Sequence, residues 1–167
     1  MTLLIVSDTH GRYDRLSRLF EMHKNADALI FLGDGLSDID RACAQNYNFT
    51  VFAVRGNCDA LGGSLFTLCA KDELIFNLEG VNFFALHGHT RQVKSSIVNA
   101  IYAADERGAD VLLFGHTHEP RLTYISAEEY NLSRSMYIFN PGSLASYSYG
   151  LCEIRKGQVL LSHGTVY

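Results

Sequence analysis

Five apolar runs in this chain each end at a short polar cluster. Residues 3–6 lead into Ser7-Asp8-Thr9-His10, and residues 28–32 into Gly33-Asp34-Gly35. Residues 51–54 lead into Arg55-Gly56-Asn57-Cys58-Asp59, residues 81–86 into His87-Gly88-His89, and residues 111–114 into Gly115-His116-Thr117-His118. Continuous runs of this length, rich in Val, Ile and Phe, read as strands buried on both faces. The clusters then fall at the C-terminal ends of those strands, where open α/β sheets place their sites. If the strands lie side by side, five loops meet at one edge.

Helical patterns separate the runs. Leu16, Leu19, Phe20 and His23 share a face over residues 12–24. Val93, Ile97, Ala100, Ile101 and Ala104 form a stripe that predicts a helix over 91–107, stopped by Gly108. Residues 37–46 read as a shorter helix with Ser37 as N-cap. After residue 119 the pattern turns to strands at 122–125, 136–139, 147–154 and 159–162, the last two joined at Lys156-Gly157. The expectation is an α/β fold, parallel-leaning in its first half and antiparallel in its second. With 167 residues it fits one domain over 1–167.

Charge and cysteine usage narrow the class. Fourteen Lys and Arg against 18 Asp and Glu give a formal charge of −4, which argues against a dedicated nucleic-acid surface. No apolar stretch approaches the roughly 20 residues needed to span a bilayer, and the first residues lack a basic leader pattern. Cys43, Cys58, Cys69 and Cys152 form no CxxC pair. These features predict a soluble cytoplasmic protein without a membrane partner; oligomeric state, including a homo-oligomer, stays open.

The strand ends supply Asp8, His10, Asp34, Asn57, His87, His116 and His118. Oxygen and nitrogen donors without a required thiolate suit Mn²⁺, Fe or Zn²⁺ and fit Ca²⁺ or Cu(I) poorly. Asp-x-His and His-x-His spacing puts two donors on one side of an extended segment. The set exceeds the three or four protein ligands of one catalytic metal and suffices for two metals sharing a carboxylate. Two divalent cations less two carboxylates leave a +2 centre. Such a centre attracts a phosphate ester and makes a hydroxide nucleophile from a bridging water.

Taken in order, Asp8-Thr9-His10-Gly11, Gly33-Asp34, Gly56-Asn57-Cys58-Asp59, His87-Gly88-His89 and Gly115-His116-Thr117-His118 resemble the motifs of calcineurin-like metallophosphoesterases. The Gly56-Asn57-Cys58-Asp59 form and Asn140-Pro141-Gly142-Ser143 resemble the small YfcE-like phosphodiesterase branch. The resemblance covers residues 3 to about 155. It implies a four-layer α/β/β/α sandwich of two mixed sheets flanked by helices. It also implies a phosphodiesterase using two divalent ions, manganese first, with zinc, iron, nickel or cobalt as alternatives, acting on a small phosphate ester. Asp8, His10, Asp34 and His118 would surround one ion, and Asp34, Asn57, His87 and His116 the other. Asp34, Asn57 and His87 would carry the catalysis, with Asn57, Cys58 and His89 at the substrate. The superfamily usually has His where this chain has Cys58, so assistance to the leaving group is expected to be weak. The alternative is a scaffold of the same fold, resembling a retromer subunit.

Several residues have plainer readings. Asp59 is expected to orient its loop, and Cys58 as a nucleophile is the weaker reading beside a metal hydroxide. Arg12 and Arg91 read as solvated, and His23 and His163 as structural. Asn140-Pro141-Gly142-Ser143 is a turn that can back the site, and Leu61-Gly62-Gly63-Ser64 a loop that can border the substrate.

Overall fold

The structure is a computed structural model and describes residues 1–44, 49–59 and 65–167. The expected loop at 61–64 lies outside the described residues. One sheet contains β1 (Thr2–Val6), β2 (Ala28–Phe31), β3 (Thr50–Ala53), β9 (Ser148–Arg155) and β10 (Gln158–Thr165), in the order β10-β9-β1-β2-β3. The other contains β4 (Glu73–Leu78), β5 (Val81–Leu86), β6 (Val111–Phe114), β7 (Arg121–Ile125) and β8 (Met136–Asn140), in the order β4-β5-β6-β8-β7. In the first sheet β1–β2–β3 pair in parallel out to the edge, and β9 and β10 are added to β1 by antiparallel pairing; in the second a parallel centre, β5–β6–β8, has antiparallel β4 and β7 on its flanks.

Alternation along each strand sorts its side chains into layers. Leu3, Ile5 and Ile30 meet Phe83, Ala85, Leu113 and Phe139 between the sheets. Leu4, Val6, Leu29 and Phe31 face the other way, against Leu16, Leu19 and Phe20 of α1 (Tyr13–Met22) and Ile39 of α2 (Leu36–Cys43). On the second sheet Phe84, Leu86, Leu112 and Phe114 pack on Ile101 and Ala104 of α4 (Val98–Glu106). The short α3 (Leu65–Cys69) follows β3. This is the α/β/β/α sandwich, and burial on both faces explains why the central strands carry unbroken apolar runs. No helix among the described residues is long and apolar enough to cross a membrane.

Four local expectations are corrected. The five strands do not form one sheet: β1–β3 belong to one and β5–β6 to the other. β3 is an edge strand and only partly buried. Residues 91–107 are not one helix, because a 3₁₀ turn at His89–Arg91 and further turns precede α4. Helix α2 begins at Leu36 behind Gly35, so Ser37 lies inside it and is not its N-cap. The unforeseen β4 alternates partly buried and exposed residues beside β5, across the tight turn Glu79-Gly80, both at positive φ (48° and 85°).

Candidate metal centre

The parallel strands of both sheets deliver their C-terminal loops to one end of the sandwich, and hydrogen bonds lock those loops together. Asp8 N donates to Gly33 O (2.9 Å) and His10 N to Asp34 O (3.2 Å) within the first sheet's rim. Across the sheets, His116 N donates to Asp8 Oδ2 (3.1 Å), and His87 Nδ1 donates to Leu32 O (2.6 Å).

Asp8, His10, Asp34, His116 and His118 all have positive φ, between 46° and 66°. Non-glycine residues adopt this left-handed conformation at a cost, and such strain gathers at functional sites. It also corrects the expected extended geometry of Asp-x-His and His-x-His. Asp8 and His10 still converge, but His116 and His118 diverge into separate donor groups.

One group is Asp8, His10 and His118. His118 Nε2 lies 3.2 Å and His10 Nε2 3.7 Å from Asp8 Oδ1, with the two imidazole nitrogens 3.3 Å apart. A second is Asp34, His87 and His116, and between the two a third set of donor atoms comprises His10, Asp34 and Cys58. His87 Nε2 lies 3.5 Å from Asp34 Oδ2 and 3.1 Å from Asn57 Oδ1. Asp34 Oδ2 is also 3.9 Å from His10 Nε2, so one carboxylate oxygen stands between the two groups. All seven candidate ligands named from the sequence therefore come together.

Two observations test whether these residues fit a cation. Asp8 Oδ1 is fully buried and has no hydrogen-bond partner, although Ser7 Oγ (2.6 Å) and the His116 amide hold the carboxylate's other oxygen. An orphaned carboxylate oxygen facing two imidazoles is costly unless a cation meets it. His87 gives the second. A carbonyl can only accept, so Nδ1 carries the proton given to Leu32 O, which aims Nε2 at Asp34 and Asn57, as metal-ligating histidines are oriented. The donor set fits divalent cations.

Electrostatics fit as well. Burial pulls the Asp34 carboxyl upward, but hydrogen bonding from His87 and from the Cys58 amide (2.7 Å to Oδ1) outweighs it and keeps Asp34 ionised well below the usual range. Burial works against a charge on His87, yet Asp34 and Asp8 raise its pKa. Burial, followed by the charge of His87, lowers His116 to about 4, so its lone pair is free near neutrality.

The loops are held by residues that are not candidate ligands. Asp59 accepts four backbone N–H bonds, each 2.8 Å: Asp34 and Gly56 at Oδ2, Gly35 and Leu36 at Oδ1. It thereby caps α2, whose N-cap Gly35 has no side chain to do so. Gly56 must lack a side chain, since a Cβ there would collide with Asp34 Oδ1 and lie 2.8 Å from its Cγ. Asp38, which sequence reasoning missed, accepts from Thr9 Oγ1 (2.5 Å) and Gly11 N (2.9 Å) and ties α2 to the first loop. Its place in the first turn of a helix gave only a generic signal. Asn140 donates to Gly115 O (2.9 Å) and Thr117 Oγ1 (3.0 Å), and Ser143 Oγ to Asp8 O (2.9 Å), so the late turn backs the site.

Cys58 is exposed, and its Sγ lies within 4.8 Å of donor atoms of His10 and Asp34; burial and then Asp34 raise its pKa, keeping it a thiol. His89 lies beside the second group, its ring 5.5 Å from that of His87 and 6.2 Å from that of His116, with a buried, unpartnered Nδ1. Arg12 is exposed, while Arg91 is bound to Glu73 (2.6 Å). His23 pairs with the Tyr149 hydroxyl (2.9 Å), and His163 donates to Asn140 O (2.8 Å) while stacking on Phe139.

A two-sheet α/β sandwich with a strand-end cluster of carboxylates, imidazoles and an amide defines a metallohydrolase-like site. The calcineurin-like phosphoesterase superfamily domain matches residues 1–165, and the chain belongs to that family. It is 32% identical over 145 residues to the probable metallophosphoesterase YsnB of Bacillus subtilis, covering 86% of this chain and 75% of that one. It is 30% identical over 163 residues to the phosphodiesterase YfcE of Escherichia coli K12, covering 87% and 80%. Its fold is also that of Entamoeba histolytica Vps29 complexed with Zn²⁺, with a TM-score of 0.68 at 18% identity and 99% of each chain covered.

Proposed function

We propose that this chain is a cytoplasmic phosphodiesterase that works with two divalent ions, manganese first, on a small phosphate ester. Asp8, His10, Asp34 and His118 hold one ion, and Asp34, Asn57, His87 and His116 the other. The observation that carries the reading is Asp34 Oδ2 between the two donor groups, 3.5 Å from His87 Nε2 and 3.9 Å from His10 Nε2. When bound, the ion pair supplies Lewis acidity at the phosphoryl oxygens and lowers the pKa of a water toward about 7.

The chain's own residues supply position and charge. Only Asp8 and Asp34 among the ligands are anionic, so a loaded site is net positive and favours a phosphodiester anion. Leu32 O holds His87, and Asp59 holds the loops of Asp34 and Asn57. Asn57, Cys58 and His89 border the reacting phosphate. Cys58 is a poor proton donor to a departing alkoxide, because a raised thiol pKa matches that task badly.

The test is metal analysis of chelator-treated and reloaded protein, together with turnover of bis(p-nitrophenyl) phosphate. Two ions per chain and activity restored by Mn²⁺ are expected. Full turnover without metal refutes the reading, and two bound ions with no turnover of any diester favour the scaffold of the same fold.

A further inference from the structure

A cavity of about 510 Å³ opens beside the candidate metal centre and is used by none of the roles above. Its walls come from the segment before α4 and from the loop joining β6 to β7. Val93, Ile97, Phe114 and Pro120 give it an apolar side, and Lys94, Ser95, Ser96, Thr117, Glu119 and Arg121 a polar one.

Two of these residues tie the cavity to the centre. Thr117 sits between His116 and His118, its hydroxyl fixed by Asn140 Nδ2 (3.0 Å). Val93 packs over Gly88, between His87 and His89: a Cβ on Gly88 would lie 2.5 Å from the valine methyl. The cavity therefore adjoins the loops carrying His87, His116 and His118.

The charges on the rim are unbalanced. Lys94 and Arg121 are exposed and form no ion pair among the described residues; Arg121 Nε donates only a long bond to Thr123 Oγ1 (3.4 Å). Glu119 is the one carboxylate, so two cations against one anion leave a positive rim over an apolar floor. A site built this way suits a ligand with an apolar body and a negative end.

Resting on the phosphodiesterase reading, we propose that this cavity receives one arm of the substrate. Lys94 and Arg121 select an arm that carries its own negative charge, distinct from the reacting phosphate. The substrate class is then an anionic phosphodiester, one whose apolar arm ends in a carboxylate or a second phosphate.

The probes are bis(4-carboxyphenyl) phosphate and its neutral-armed counterpart, bis(4-methoxycarbonylphenyl) phosphate. Their symmetry removes any question of which arm enters. Binding is read on metal-free protein from the amide shifts of Ser95, Ser96, Thr117 and Arg121, and kcat/KM on Mn²⁺-loaded protein. In binding, the carboxylate form is expected to be preferred about tenfold, a difference of about 1.4 kcal/mol. In the double variant Lys94→Gln, Arg121→Gln the binding preference should fall to near one and the kcat/KM ratio about tenfold from its parent value, and both should rise in Glu119→Gln. Comparing ratios between variants cancels the difference in leaving-group chemistry.

Equal binding of the two probes, or a preference that survives in the double variant, overturns the proposal. Turnover of both probes at a kcat/KM ratio that the double variant leaves unchanged sinks the cavity's role and leaves the phosphodiesterase reading intact. Turnover of neither, with a binding preference that the double variant loses, sinks the phosphodiesterase reading and keeps the cavity as an anion-selective site.

Discussion

Replacing Asp59 by Asn removes one charge and one acceptor oxygen from the junction of two loops. In the parent protein each Asp59 oxygen accepts two backbone N–H groups, Gly35 and Leu36 on one side, Asp34 and Gly56 on the other. An amide keeps one oxygen and turns an NH₂ toward the other pair, so two N–H groups lose their acceptor. An unmet buried donor costs about 1–3 kcal/mol; Asp59 is partly exposed, so the lower end applies and the loss is about 2 kcal/mol. For a domain of this size that lowers Tm by about 4–8 °C. Asp59→Ala strands all four donors and should lower Tm by about 8–16 °C on the same scale. The same N–H groups set the backbone of Asp34, so metal affinity should fall about 10–100-fold in Asp59→Asn, as for other residues that orient a ligand. Thermal unfolding of the metal-free proteins reads the first effect, and calorimetric titration with Mn²⁺ the second. An Asp59→Asn protein with Tm within about a degree of the parent and unchanged affinity would mean that water replaces the carboxylate, and the reasoning fails.

Three further outcomes are expected. Asp34→Asn should lower kcat/KM at saturating Mn²⁺ by at least about 10²-fold more than Cys58→Ala, because its oxygen stands between the two donor groups; a dead Cys58→Ala beside an active Asp34→Asn would point to a thiol nucleophile. Among phosphodiesters, kcat/KM should fall steeply as the leaving-group pKa rises, and Cys58→His should flatten the slope, since a general acid is typically worth about 10²–10⁴-fold; a shallow slope in the parent would assign the protonation elsewhere, with His89 the first candidate. In metal-free protein, NMR should show His116 titrating near pH 4 and His87 above its ordinary 6.5. The two have opposite consequences for stability. Folded His116 binds fewer protons than the unfolded chain between pH 6.5 and 4, so its contribution is present above 6.5 and fades as pH falls toward 4. His87 keeps its proton longer when folded, so its contribution is present below 6.5 and fades as pH rises through its folded pKa. Denaturant titrations of His116→Gln should show a smaller loss of stability between pH 7 and 5 than the parent; an equal or larger loss contradicts this.

Much of the site was legible in the linear chain because its logic is local. A strand buried on both faces needs an unbroken apolar run, and the first polar residue after it marks the strand's end. Asp8, Asp34, Asn57, His87 and His116 could be placed at strand ends from that transition alone. Signals that depended on one helix or strand face were weaker. The stripe from Val93 to Ala104 has helical spacing, yet Gly88 is shaped to receive Val93, which packs before α4 begins. Ser37 resembles an N-cap, but Asp59, distant in sequence, supplies the cap instead.

By itself the sequence determined which donors exist, that they follow strands, and that oxygen and nitrogen ligands predominate, because periodicity and residue chemistry are properties of short segments. The tertiary structure alone decided how the donors are divided. Spacing put His116 and His118 on one side, but left-handed backbone at both, with the His116 amide held by Asp8 of the opposite sheet, sends them to different groups. Asp34 comes to stand between the two groups only because the two sheets meet there, with His87 anchored to Leu32 across the sandwich. The four-bond anchor at Asp59 and the cationic cavity beside Thr117 likewise join segments far apart in the chain. Such long-range geometry is set by how the layers pack, and no local pattern of residues encodes it.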